Sequence, residues 1–140
     1  MGKEYPFYCG GEWRSSSNTL EVTNPYDGST VGTTSLAGAD DLEHAINAAC
    51  HAYEKMRKLQ SYERAAILQQ LADALERRED EFVELMAKES GKPIKDSRVE
   101  VKRGVFTLQI AVEEARRIGG ETIPLDLMAS SAGRFGFTRR

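Results

Sequence analysis

Apolar positions in the middle of the chain recur with a helical period. Leu42, Ala45, Ile46, Ala49, Tyr53 and Met56 share one face of a helix that begins near Ala39. Asp40 and Asp41 in its first turn favour the positive end of the helix dipole. Ser61, with Glu63 close behind it, reads as the N-cap of a second helix carrying Ile67, Leu68, Leu71, Ala72 and Leu75. A charged run, Glu76-Arg77-Arg78-Glu79-Asp80-Glu81, follows before Phe82, Leu85 and Met86 restart the stripe. The run predicts a solvated face at a kink or short break. Gly91 suits the C′ position that ends this helix, and Pro93 the N1 position of the next. Val101, Val105, Leu108, Val112, Ala115 and Ile118 then line one side of a long third helix, which Gly119-Gly120 stops.

The flanks read as strand and turn. Phe7-Tyr8-Cys9 and Glu12-Trp13-Arg14 surround Gly10-Gly11, a two-residue hairpin signal, because both turn positions need φ > 0. Ser15 to Asn18 is a polar loop and Leu20–Thr23 a second strand, ended by the turn sequence Asn24-Pro25-Tyr26-Asp27-Gly28. Thr30 to Leu36 is β-prone through Val31, Thr33 and Thr34, although Gly32 weakens it. After Glu121 come short β-prone pieces around Ser130-Ser131-Ala132-Gly133, with a basic end at Arg134, Arg139 and Arg140.

Charge and composition narrow the function classes. The chain has 140 residues, with 19 Lys and Arg against 22 Asp and Glu and a net charge of −3, which argues against a nucleic-acid partner. Its 40% hydrophobic and 29% charged residues fit a globular chain of one domain. No apolar run is long enough to span a membrane. The opening Met1-Gly2-Lys3-Glu4-Tyr5-Pro6 lacks the apolar centre of a signal peptide, so the expected location is cytoplasmic. Cys9 and Cys50 are then expected to stay reduced.

Candidate chemistry is sparse. A self-contained dinucleotide site needs a Gly-rich turn between a strand and a helix, whereas Gly28-Ser29-Thr30-Val31-Gly32 lies between two strands. Cys50 adjoins His51, but neighbours on a helix point about 100° apart and do not face each other. His44 and His51, with Asp40 or Glu54 as oxygen donors, lie on one face but at i, i+7, wider than the H-x-x-x-H of a zinc helix. No metal site is expected. Glu113-Glu114 and Arg116-Arg117 form i, i+3 pairs on a solvated face. The third helix has a second, partly apolar face of Arg103, Phe106, Thr107 and Ile110, a pattern that fits burial against another partner. The plainer reading is a solvated Arg among exposed apolar residues.

Longer stretches are familiar. Tyr8-x-Gly10-Gly11-x-Trp13, Val22-Thr23-Asn24-Pro25-Tyr26-Asp27-Gly28, Glu63-Arg64-Ala65-Ala66-Ile67-Leu68, Glu89-Ser90-Gly91-Lys92-Pro93, Glu100-Val101 and Ala115-Arg116-Arg117-x-Gly119-Gly120-Glu121-Thr122-Ile123-Pro124 occur in order, closed by Thr138-Arg139-Arg140. Together they resemble the start of the NAD(P)-dependent aldehyde dehydrogenases. The resemblance implies an α+β fragment of an α/β fold: an N-terminal β-hairpin and strands, three long amphipathic helices and a C-terminal β arm. Residues 1–120 would flank the nucleotide-binding domain, and 121–140 would begin an oligomerisation arm.

In a complete member the resemblance implies a Cys nucleophile, hydride transfer to NAD or NADP, a Glu-activated water and an oxyanion site of an Asn side chain and a backbone N–H. None of these has a counterpart here, and Cys9 and Cys50 match structural positions. The expectation is therefore an N-terminal portion that is inactive and binds no cofactor alone, joined as a homo-oligomer or to the missing remainder. The alternatives are a non-enzymatic helical interaction module and a split subunit completed in trans. The resemblance also sets the third helix beside the aldehyde tunnel, which makes Arg103 and Thr107 candidate tunnel residues. An Arg there would favour an anionic aldehyde. The stretch Arg98-Val99-Glu100-Val101 is similar to lactaldehyde and non-phosphorylating glyceraldehyde-3-phosphate members, which points the same way.

Overall fold

A computed structural model describes residues 3–139, so Met1, Gly2 and the closing Arg140 of the basic end lie outside the described residues. The order of elements is β1 (Lys3–Tyr5), β2 (Phe7–Cys9), β3 (Glu12–Arg14), β4 (Thr19–Thr23), β5 (Thr30–Ser35), α1 (Ala39–Met56), α2 (Ser61–Arg77), α3 (Glu79–Ser90), α4 (Ile94–Arg117), β6 (Thr122–Pro124) and β7 (Phe135–Phe137). A short 3-10 turn, Ala129–Ser131, lies between the last two strands.

The Gly10-Gly11 hairpin forms as its sequence predicts. Gly10 and Gly11 have φ of 63° and 96°, and Cys9 pairs with Glu12 across them. Strands β4 and β5 pair antiparallel, and β1 joins β5 in parallel, giving the order β1-β5-β4. Gly32 in β5 is the place where Tyr5 of β1 closes over the sheet. A Cβ there would come within 2.6 Å of the tyrosine ring. The missing side chain that weakens β5 as a strand is what admits its neighbour.

Among the described residues there are four α-helices where the hydrophobic pattern counts three, and the charged run is the break. Arg78, at φ −106° and ψ 19°, separates α2 from α3. Its guanidinium pairs with Glu81 at 2.7 Å, while Arg98 of α4 donates to Glu79 and Asp80 at 2.8 Å each. The break thus serves as a clip that ties α3 to α4. Two helix starts also shift by one residue. Gln60, not Ser61, is the N-cap of α2, and its N–H donates to the Glu63 carboxylate at 2.7 Å. Pro93 is the N-cap of α4 rather than N1, and its carbonyl accepts from Ser97 N–H at 2.9 Å. Gly91 ends α3 in the left-handed conformation, at φ 69°.

The core lies where α2 meets α4. Ala65, Val112 and Ala115 are buried together, with half-buried Leu68 packed against them. Small residues along this seam let the helix backbones approach closely, and Gly104 faces Leu75 of α2 at ordinary contact distance. Val101 and Val105 of α4, Ala72 of α2 and Val83 of α3 are also buried. Of the stripe read along the third helix, Leu108 is only half-buried and Ile118 is exposed. The sheet rests on the end of α3, where Pro25 from the β4–β5 turn lies against Gly91.

Candidate functional site

Helix α4 carries the residues singled out as tunnel candidates. Arg103 and Thr107 lie one turn apart on its outer side, both exposed, and the Thr107 hydroxyl donates to the Arg103 carbonyl at 2.9 Å. Phe106 and Ile110 beside them are 60% and 41% exposed. The second face of α4 therefore exists as a partly apolar strip that is largely exposed. Near its start Lys92 is ion-paired with Glu100. That hydrogen bond, then the Lys92 charge and to a smaller degree the Arg103 charge, hold the Glu100 carboxyl below its usual range. Arg103 itself forms no salt bridge among the described residues, so its charge is available to a ligand.

Helix α1 presents a similar strip. None of its residues is buried, and Leu42, Ile46, Tyr53 and Met56 of its apolar face are 60%, 47%, 60% and 47% exposed. The β2–β3 hairpin holds its first turn: Arg14 pairs with Asp41 at 2.7 Å, and the Cys9 thiol donates to the Asp41 carbonyl at 3.4 Å. Gly10 closes against His44. Tyr8 and Trp13, opposite each other on the hairpin, meet edge to face at 5.1 Å and remain largely exposed.

The other chemistry-bearing residues do not converge. Cys9 is buried in the hairpin and Cys50 is exposed on α1. His51 bonds through Nδ1 to the Asn47 carbonyl one turn back, which is a local helix contact. Among the described residues no three His, Cys, Asp or Glu side chains group as metal ligands. Gly28 lies in the β4–β5 turn, followed by a strand rather than a helix. Every one of the four helices opens on carboxylates: Asp40 and Asp41, Glu63, the Glu79-Asp80-Glu81 run, and Asp96. These sit at the positive ends of the helix dipoles, where negative charge is favoured.

Strands, four helices and a closing hairpin in this order make an α+β segment. The aldehyde dehydrogenase family model matches residues 13–140, and the chain belongs to the aldehyde dehydrogenase family. It is 40% identical over 136 residues to the 3-sulfolactaldehyde dehydrogenase of Priestia aryabhattai, covering 97% of this chain and 28% of that protein. It is 35% identical over 116 residues to the NADP(+) succinate-semialdehyde dehydrogenase of Escherichia coli, covering 81% of this chain and 24% of that protein. Among solved structures, aldehyde dehydrogenase 21 of Physcomitrella patens, in complex with the reaction product succinate, superposes with a TM-score of 0.90 at 36% identity. That match covers 99% of this chain and 29% of the other. The chain thus spans little more than a quarter of the relatives it matches. Among the described residues no helix is long and apolar enough to cross a membrane.

Proposed function

We propose that this chain is the N-terminal portion of an NAD(P)-dependent aldehyde dehydrogenase, which in complete form oxidises an aldehyde to a carboxylic acid, and that alone it neither binds the cofactor nor turns over substrate. The observation that carries the reading is the pair of uncovered strips on α1 and α4. Both have the apolar spacing of buried helices, yet their large apolar side chains stay between 41% and 60% exposed among the described residues. Residues 1–120 flank the nucleotide-binding domain in this reading, and 121–140 begin the oligomerisation arm, with β6 and β7 as its first hairpin.

Arg103 and Thr107 are the proposed substrate-tunnel residues, and Arg103 selects an anionic aldehyde. Support comes from its exposed guanidinium on a partly apolar face. The named substrates of the relatives, sulfolactaldehyde and succinate semialdehyde, are also anions.

Incubating the purified chain with NAD or NADP and a panel of aldehydes, while following nicotinamide absorbance, tests the first claim. No turnover is expected, and enzyme-dependent reduction overturns it. In the complete protein Arg103→Ala should lower kcat/KM for anionic aldehydes about tenfold to a hundredfold, the weight of a charged hydrogen bond, and spare neutral ones. Equal losses for both refute the tunnel role. The same exposed strips also favour a helical interaction module. An oligomer of fixed stoichiometry would support that alternative over a bare segment, which should self-associate without one.

A further inference from the structure

The turn between β4 and β5 contains Asp27-Gly28, a pair with its own covalent chemistry. In an unstructured chain the Gly28 amide nitrogen attacks Asp27 Cγ. A carboxyl oxygen leaves as water, carrying off the amide proton and the acid proton, and a five-membered succinimide remains. Water then opens that ring at either carbonyl, returning Asp or giving isoaspartate, whose backbone is one methylene longer. Glycine favours the attack because no side chain shields its nitrogen.

The turn occupies each group this reaction needs. Gly28 N–H donates to the Asn24 carbonyl at 2.8 Å, so the nucleophile is engaged. Asp27 Oδ1 accepts from Ser29 N–H at 3.0 Å and from the Ser29 hydroxyl at 2.6 Å, which ties the carboxyl to Ser29. Asn24 fixes the opposite side, with Oδ1 accepting from Tyr26 N–H at 3.0 Å and its own N–H donating to the Ser29 carbonyl at 2.8 Å. We propose that Asp27-Gly28 is an isomerisation site of this chain and that the Ser29 hydroxyl is the lock that keeps it closed in the fold. The Ser29 hydrogen bonds also keep the Asp27 carboxyl ionised to lower pH, depleting the neutral acid from which water leaves. Isomerisation would strike a working part of the fold. The same turn sets the β4–β5 register and places Pro25 on Gly91 at the end of α3.

The test is the rate of isoaspartate appearance at residue 27, read by peptide mapping with electron-transfer fragmentation. The folded chain, the chain unfolded in urea, Ser29→Ala and Ser29→Thr are incubated at one temperature and near-neutral pH. The folded chain should isomerise more slowly than the unfolded one. Ser29→Ala should be about fivefold faster than the native sequence, the weight of one hydrogen bond, and Ser29→Thr, which keeps the hydroxyl, should restore the slow rate. A Ser29→Ala rate equal to that of the native sequence overturns the proposal, as does a Ser29→Thr rate equal to that of Ser29→Ala. A folded chain that isomerises as fast as the unfolded one also overturns it.

Discussion

Helices α1 and α4 both carry an apolar stripe at helical spacing, but only α4 uses one within the chain. Its inner side packs on α2 through Ala65, Val112 and Ala115, and Ser97, Val101 and Val105 are buried along the same helix. Helix α1 has no buried residue, and the β2–β3 hairpin holds its N-terminal half through Arg14, Cys9 and Gly10. The contrast separates amphipathicity from burial. A stripe records that a helix face is made for an apolar neighbour, while the seam between α2 and α4 shows what such a neighbour looks like when present. The outer side of α4 belongs with α1 in this respect.

The same substitution placed in both regions should break the symmetry of their sequences. Ala65→Asp puts an unpaired charge where the side chain is 0% exposed and should cost about 4 kcal/mol, enough to abolish a cooperative urea transition. Leu42→Asp on α1 should change the midpoint by no more than about 0.5 kcal/mol and reduce self-association of the chain. If both destabilise alike, α1 is packed and the contrast fails. Val83→Ala, in α3, leaves a cavity at a position 1% exposed and should cost about 2 kcal/mol by the same measurement.

Ser97 sharpens the picture of the α4 side. Its residue is 0% exposed and its hydroxyl has no hydrogen-bond partner, so Ser97→Ala should gain about 1 kcal/mol. A loss on thermal melting would mean the hydroxyl is satisfied.

The smallest effect is at the surface turn. The Asp27 carboxyl is lowered below its ordinary 3.8, first by the Ser29 hydroxyl and then by the Ser29 N–H. A lowered carboxyl stabilises the fold above its unfolded value, and that contribution disappears as pH falls through the folded one. Asp27→Ala should therefore melt slightly below the native chain at pH 7, with the gap closing below 3.8. A gap independent of pH would assign the effect to the turn's shape alone.

Much of this fold is legible wherever a single residue type has a single conformational use. Gly10-Gly11 announces the hairpin, Gly91 the end of α3, and Pro93 the start of α4 within one residue. The parallel pairing of β1 with β5 is not legible, because Lys3–Tyr5 is three residues long and takes its partner from far along the chain. The break at Arg78 shows as a charged run, but its role as a clip depends on Arg98, whose distance in sequence hides the contact. The candidate site is legible as a second face on α4 and no further. Arg103, Phe106 and Thr107 mark a surface, and what lies over that surface is not encoded by the spacing of the residues that form it.

The β1–β5 pairing has a consequence for how the molecule is made. Lys3 aligns with Gly32, so β1 leaves the ribosome well before the strand it pairs with. Until β5 emerges, Tyr5 has no glycine to settle over, and the edge of β1 stays open to whatever strand is nearest during synthesis.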